Sequence, residues 1–207
     1  MAGLFVTFEG GEGSGKSTQI ERLAGRLRQR GVEPLVTREP GGTPLAERIR
    51  ALLLDPELRP GAECELFLME AARADLVSTV VRPALDAGRV VLCDRFDDST
   101  TAYQGAGRGL DPTLVQIANR AATTGLRPHL TLLYDIEPAV GLARRGSGGP
   151  TNRLDREPPE FHARVRARYL ELAAAEPRRF VVLDAAMSAD ELERVAWQAI
   201  EDRLARR

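Results

Sequence analysis

The segment G-G-E-G-S-G-K-S at positions 10–17 places a lysine and a hydroxyl directly after a run of glycines. Glycines let consecutive backbone N–H groups point at phosphate oxygens, and a helix beginning here adds its partial positive charge. Lys16 is then expected to bridge the β- and γ-phosphates of a nucleoside triphosphate, and Ser17 to bind Mg²⁺. The predicted triphosphate-binding residues are Gly10, Gly11, Glu12, Gly13, Ser14, Gly15, Lys16, Ser17 and Thr18.

Lys16 is also the one lysine of the chain, since the other 28 basic residues are arginine. Coding bias explains an arginine-rich composition, and it makes the retained lysine more informative. A compact ammonium on a flexible stem fits against backbone and metal, whereas arginine carries a broad planar fork.

A second candidate site is V-V-L-C-D-R at 90–95, where an apolar run ends in Asp94 and Arg95. A carboxylate at the end of a buried strand beside the phosphate loop can complete a magnesium shell. Arg95 indicates a second anionic substrate, which a plain ATPase would not need. The alternative interpretation is a salt bridge at the end of a strand.

Three more segments carry polar side chains: T-R-E-P-G-G-T at 37–43, M-E-A-A-R at 69–73 and S-T-T-A-Y-Q-G at 99–105. Met69 and Arg73 are four residues apart and share a helix face, so together they could hold a flat heterocycle. Taken alone, such a pair is more often a core residue beside a surface residue.

Together these segments resemble the thymidylate kinase family, and the resemblance covers essentially the whole chain. It depends on F-E-G-G-E-G-S-G-K-S-T at 8–18, T-R-E-P-G-G-T at 37–43, E-A-A-R at 70–73, D-R-F at 94–96, A-Y-Q-G-A-G-R-G at 102–109 and N-R-L-D at 152–155. The phosphate loop alone indicates only a nucleotide, whereas T-R-E-P-G-G-T and A-Y-Q-G are far more specific. The resemblance implies transfer of the γ-phosphoryl group of Mg-ATP to thymidine monophosphate (dTMP), a step toward dTTP.

The resemblance also implies residues for the acceptor. Arg95 and Arg50 would clamp the acceptor phosphate, and Arg73 would donate to a thymine carbonyl. The other implied contacts are Thr100 and Gln104 at the ring edge, Tyr103 under the deoxyribose, Glu12 near the 3′-hydroxyl or the metal shell, and Glu39 and Pro40 along the pocket wall.

One position departs from the family pattern. The residue one helical turn before Arg73 is often phenylalanine in this family, stacked on thymine, and here it is Met69, with Phe67 nearby. A thioether can still pack on an aromatic face, so thymine selectivity is expected with a different stacking contact.

The segment at 144–158 is rich in glycine, proline and arginine, and it is expected to be a flexible basic loop that is irregular in its first half. The resemblance implies that this loop is the family's lid. Some family members carry a basic residue inside the phosphate loop, where this chain has E-G-S at 12–14. The resemblance therefore implies that the lid supplies the catalytic arginine, the alternative being solvated surface charges. The candidates are Arg144, Arg145 and Arg153, of which Arg153 is favoured with one of the others assisting.

The elements that would position these residues alternate between short apolar runs and longer helical patterns. Strands are predicted at 4–8, 34–37, 90–93, 130–134 and 180–183, and helices at 16–30, 43–54, 62–87, 114–122 and 190–205, with Pro83 kinking or ending the third. This alternation predicts a P-loop α/β fold of three α/β/α layers around a five-stranded parallel sheet. We expect residues 1–207 to form one kinase domain.

Composition excludes several classes of protein. A net charge of −1 argues against non-specific nucleic-acid binding, and no apolar run reaches the length of a membrane span. With no basic, apolar leader, a cytoplasmic protein is expected. Cys64 and Cys93 are expected to be reduced and buried. The resemblance suggests a homodimer formed through the helix at 62–87 and its neighbours.

Two other functions stay open. One is a kinase for another nucleoside monophosphate or for a nucleoside, although a nucleoside would gain less from Arg95 and Arg50. The other is a nucleotide switch or motor, but the chain has no second lysine to build an N-K-x-D guanine-reading segment.

Overall fold

Five parallel strands form one sheet in the order β2-β3-β1-β4-β5 in the computed structural model, which describes residues 3–146 and 152–205. The strands are β1 (Leu4–Glu9), β2 (Leu35–Arg38), β3 (Val90–Asp94), β4 (Leu130–Asp135) and β5 (Phe180–Asp184). Each lies within two residues of its predicted bounds, and the predicted five-stranded parallel α/β fold is confirmed.

The central strands are nearly continuous apolar runs because both of their faces are covered by helices. All six residues of β1 are buried, and it pairs with β3 on one side and β4 on the other. The register sets Phe8 opposite Asp94, so the carboxyl ends of β1 and β3 meet at one edge of the sheet. The phosphate loop and the D-R pair at 94–95 leave the sheet at this edge.

Helices lie on both faces of the sheet. They are α1 (Lys16–Gln29), α2 (Pro44–Leu54), α3 (Ala62–Leu76), α4 (Arg82–Asp86), α5 (Asp97–Thr100), α6 (Pro112–Thr123), α7 (Pro138–Gly146), α8 (Pro159–Ala175) and α9 (Ala189–Ala205). The α1 and α9 side buries Trp197 against β1 and β4 residues, while the other side buries Phe5, Phe96 and Leu76.

The helix predicted over 62–87 is broken into parts. A π-helical segment, Val77–Val81, separates α3 from α4, and Pro83 lies in the first turn of α4 instead of ending the helical course. A second π-helical segment, Thr101–Gly107, follows α5 and contains much of the polar cluster at 99–105. The local sequence did not predict this helical path, because its small and polar residues show no apolar periodicity.

The lid differs from its expectation in its first residues. Arg144 and Arg145 belong to the last turn of α7, so this part is helical instead of irregular. Residues 147–151 lie outside the described residues. The chain continues from Asn152 through a short 3₁₀ turn, Leu154–Arg156, into α8.

Two composition-based expectations have different outcomes. Cys93 is buried in β3, but Cys64 is exposed, and the expectation that both thiols are buried was wrong. Cys64 lies in the first turn of α3, on a face that the core does not cover. In the described residues, no helix combines the length and the apolar character needed to cross a membrane.

Candidate functional site

The phosphate loop connects β1 to α1 by a path that needs glycine at several steps. Gly13 and Gly15 have φ angles of 67° and 86°, in the left-handed region that side chains disfavour. A Cβ at Gly13 would lie 2.0 Å from the carbonyl oxygen of Gly141. The loop therefore packs backbone against backbone on α7, the helix that carries Arg144 and Arg145.

Lys16 is the first residue of α1, and its side chain folds back over the loop. Its Nζ donates to the carbonyl oxygens of Gly10 and Gly11 at 3.0 and 2.8 Å and to Oγ of Ser14 at 3.1 Å. Burial, together with the nearby charge of Arg95, lowers the pKa of Lys16 to about 8. Bound phosphate would favour the charged ammonium, because it brings negative charge into the same buried space.

Ser17 and Asp94 form a pair that fits a magnesium ion. The hydroxyl of Ser17 donates to Oδ2 of Asp94 at 3.2 Å, while Oδ1 of Asp94 is buried without a hydrogen-bond partner among the described residues. Mg²⁺ takes hard oxygen ligands, commonly one or two from protein and the rest from phosphates and water. The residues present therefore fit the ion beside the phosphate loop.

A cavity of about 570 Å³ opens over the phosphate loop, and we call it the phosphate cavity. It brings together sixteen of the predicted residues: Glu12, Gly13, Ser14, Gly15, Lys16, Ser17, Thr18, Glu39, Pro40, Arg50, Met69, Asp94, Arg95, Tyr103, Arg144 and Arg145. Its wall also includes residues that had been given no role, namely Arg38, Leu54, Ser99, Asn152 and Leu154. Leu54 resembles an ordinary core residue in sequence, so no local signal could have found it, whereas Leu154 and Asn152 lie in the N-R-L-D segment at 152–155.

Arg95 is a second cation of this cavity that is held in place by neighbouring side chains. Its Nη2 donates to Oε1 of Glu12 at 2.7 Å, and its guanidinium carbon lies 4.9 Å from the ring centroid of Tyr103. Its φ angle is 69°, unusual for a residue other than glycine, which turns the chain sharply after β3. Burial opposes ionisation of Glu12, but the charges of Arg95 and Lys16 outweigh it and lower its pKa.

Arg50 approaches the same cavity from α2. Its Nη1 donates to the carbonyl oxygen of Pro40 at 2.8 Å, so the turn at Glu39 and Pro40 holds this guanidinium at the cavity wall. The two cations predicted to clamp an acceptor phosphate therefore face one space, which they share with Lys16.

Three residues predicted to contact the base lie behind the wall instead of on it. Arg73 is 2% exposed, and it binds Glu39, Glu70, Asn119 and the carbonyl oxygen of Phe96. Thr100 and Gln104 are completely buried, although Oγ1 of Thr100 and Oε1 of Gln104 have no hydrogen-bond partner among the described residues. Their contacts with a base stay a prediction.

Met69 lines the cavity at the position where an aromatic residue was expected, whereas Phe67 is 57% exposed on α3. Phe67 therefore does not replace the missing ring, and the apolar part of the wall comes from Met69 with Leu54 and Leu154.

The lid arginines are divided between two places. Arg144 and Arg145 line the phosphate cavity, where Arg144 donates to the carbonyl oxygen of Ala185 at 2.8 Å. Arg153, the favoured candidate, is 7% exposed and is not part of the wall of this cavity, although its neighbours Asn152 and Leu154 are. Its Nη2 binds Oε2 of Glu65 at 2.5 Å and the carbonyl oxygen of Leu53 at 3.2 Å. In this conformation these contacts hold Arg153 against α2 and α3.

Comparisons with known proteins agree on one family. The model of the family described as thymidylate kinase matches residues 8–195. The thymidylate kinase of Deinococcus radiodurans is 51% identical over 201 residues, which are 97% of this chain and 98% of the relative. That of Pseudomonas fluorescens is 54% identical over 187 residues, 90% of this chain and 89% of the relative. The crystal structure of thymidylate kinase from Ehrlichia chaffeensis has a TM-score of 0.78 at 30% identity, covering 97% of this chain and 99% of that chain.

Proposed function

This chain belongs to the thymidylate kinase family, and we propose that the phosphate cavity is where it transfers the γ-phosphoryl group of ATP to dTMP. The observation that carries this assignment is that a single cavity is lined by Lys16 and the phosphate loop together with Arg95 and Arg50. The product, thymidine diphosphate, leads to dTTP for DNA synthesis.

The chemistry requires charge neutralisation more than proton abstraction. The acceptor is a phosphate monoester whose second pKa is about 6, so its attacking oxygen is already anionic near neutral pH. Bringing two polyanions together is then the main difficulty. Lys16 and the loop N–H groups would hold the donor phosphates, while Arg95 and Arg50 would hold the acceptor phosphate in line.

The magnesium site in this proposal uses Ser17 and Asp94. When bound there, Mg²⁺ would neutralise charge on the donor phosphates. Asp94 contributes its unpartnered Oδ1, and Ser17 its hydroxyl once the bond to Oδ2 is released.

The nucleoside of dTMP would extend from Arg95 toward Met69. Tyr103 lies over Arg95, and its hydroxyl donates to Oε1 of Glu12 at 3.2 Å, so both side chains can border the sugar. Thr100 and Gln104 would reach the base with the atoms that now lack partners. Arg73 would need to exchange one protein acceptor for a thymine carbonyl.

An acceptor panel tests the function. With Mg-ATP as donor and ADP release as the signal, we expect dTMP to be the best substrate among dTMP, dUMP, dCMP, UMP and thymidine. A nucleoside lacks the phosphate that Arg95 and Arg50 would bind, so thymidine should be the poorest pyrimidine acceptor. Thymidine turnover equal to that of dTMP would instead support a nucleoside kinase, and ADP release without any acceptor would support an NTPase.

The structure favours Arg145 over Arg153 as the catalytic lid arginine, which is the opposite of the ranking expected from the sequence. Because Arg145 lines the phosphate cavity and Arg153 is bound to Glu65, we expect Arg145→Ala to lower kcat at least about tenfold, and more than Arg153→Ala does. Steady-state kinetics of both variants at saturating substrates would measure the difference. A larger loss of kcat in Arg153→Ala, with unchanged thermal stability, would show that the lid delivers Arg153 to the cavity during turnover.

We also propose one kinase domain over residues 1–207, with the lid at about 144–158, and a homodimer formed through α3 and its neighbour α6. Phe67 on α3 and Ile117 on α6 are 57% and 63% exposed, which is a high exposure for large apolar side chains on two adjacent helices. Light scattering should then give about twice the 22.6 kDa of the chain, and Phe67→Glu should lower that mass. A monomeric parent protein would contradict the proposal.

A cytoplasmic location is part of the same proposal. The cytoplasm supplies ATP, and its reducing conditions suit the exposed thiol of Cys64. Cell fractionation with an antibody to the protein would test this location.

A further inference from the structure

A buried carboxyl group behind the phosphate cavity connects the central strands to a distant helix. Glu9 is the last residue of β1 and is completely buried. Its Oε1 accepts from the backbone N–H of Phe96 at 2.7 Å. Its Oε2 accepts from the hydroxyls of Ser99 at 2.6 Å and Tyr169 at 2.8 Å. Three hydrogen-bonding groups from α5, α8 and the segment before α5 therefore converge on one carboxyl group.

The two hydroxyls that bind Glu9 also reach Arg95. Ser99 Oγ and Tyr169 OH lie 2.8 Å apart, and each is 3.3 Å from Nη1 of Arg95. Glu12 binds Nη2 of the same guanidinium from the opposite end. An arginine side chain has many rotamers, so contacts at both ends of its fork reduce the entropy lost when it binds phosphate.

We propose that Tyr169, fixed by Glu9, is a positioning residue for Arg95. This inference depends on the proposed function, in which Arg95 binds the acceptor phosphate. Tyr169 is 2% exposed and is not part of the cavity wall, so it acts through Arg95 and not by touching substrate. It lies on α8, 74 residues from Arg95 along the chain, and α8 is the helix that directly follows the lid.

Removal of a single hydroxyl tests the proposal. Tyr169→Phe should lower kcat/KM for dTMP about tenfold, the usual effect of losing one hydrogen bond to a charged group. The KM for ATP should stay within about twofold, which also shows that the variant folds. The matched control is Tyr134→Phe, because Tyr134 is equally buried and its hydroxyl has no hydrogen-bond partner among the described residues. That control should retain parent kinetics for both substrates.

A double-mutant cycle separates positioning from general support of the fold. In an Arg95→Ala background, Tyr169→Phe should change kcat/KM for dTMP by less than about twofold, because the side chain that it positions is gone. An equal loss in both backgrounds would show that Tyr169 acts independently of Arg95 and would overturn the inference.

The cycle also distinguishes the role of Tyr169 from the role of Arg95. A large effect of Arg95→Ala together with parent-like kinetics of Tyr169→Phe would overturn the positioning role alone. Parent-like kinetics of Arg95→Ala would overturn the proposed role of Arg95, and the role of Tyr169 with it.

Discussion

Replacing Lys16 with arginine is expected to remove most of the phosphoryl-transfer activity, although the charge is kept. The loss in kcat should be at least about 10²-fold, the usual cost of removing one charge-stabilising donor from a transition state. Lys16 Nζ lies within 3.1 Å of two loop carbonyl oxygens and the hydroxyl of Ser14, and its side chain is 7% exposed. A planar guanidinium cannot enter this space without displacing the loop.

The measurement is kcat and KM for ATP at saturating dTMP, with thermal unfolding to show that the variant is folded. Arg26→Lys is the matched control, since Arg26 lies on the same helix but on its surface near Glu193. Arg26→Lys replaces arginine with lysine, the reverse of Lys16→Arg, and this variant should retain parent activity. If Lys16→Arg kept kcat within about threefold of the parent, the compact-charge argument would be wrong.

Replacing Arg95 with alanine is expected to lower kcat/KM for dTMP by about 10²- to 10³-fold while the KM for ATP changes little. Arg95 lines the cavity, is proposed to bind the acceptor, and is held by Glu12 at 2.7 Å and the ring of Tyr103 at 4.9 Å. In the proposed function, removing it takes away a forked donor to the acceptor phosphate. It also leaves the half-buried Glu12 without its ion-pair partner, so that the negative charge of Glu12 would face the negative charge of the acceptor phosphate.

Backbone strain needs a separate control for this variant, because Arg95 has a φ angle of 69°. Thr124 is the other described residue besides glycine with positive φ, at 48°, so Thr124→Ala reports the cost of alanine in that conformation together with the loss of the hydroxyl's contacts with Arg82 and Thr123. Kinetics with varied dTMP and varied ATP should show a selective effect only for Arg95→Ala. If the KM for ATP rose as much as the KM for dTMP, Arg95 would belong to the donor side instead.

Residues that lie close together along the chain could be assigned to a common site by their spacing. One continuous segment contains the glycines at 10–15, Lys16 and Ser17, and its geometry follows from local backbone preferences. Asp94 could be placed beside them because parallel strands bring their carboxyl ends to one edge. The five strands were equally predictable, since their apolar runs are short and separated by turn residues.

Side-chain contacts between distant segments could not be predicted. Arg73 was expected at the base, yet four protein partners hold it behind the wall, because α3 brings it against Glu39 and Asn119. Arg153 was favoured for catalysis, but in this conformation its charge is bound by Glu65, 88 residues away. No pattern near either arginine contains this information.

The order of amino acids was therefore enough to establish the fold class, the phosphate loop and the types of charge that the reaction needs, because each depends on neighbouring residues or on strand order. Which arginines face the phosphates, and what holds them in place, depends on tertiary packing. The hydrogen bonds of Lys16 stay within its own loop, whereas those of Arg95 reach Glu12 and, through Tyr169 and Glu9, helices and strands up to 160 residues apart. A guanidinium binds whichever carboxylate, hydroxyl or carbonyl the packing brings within reach, and packing depends on the whole chain.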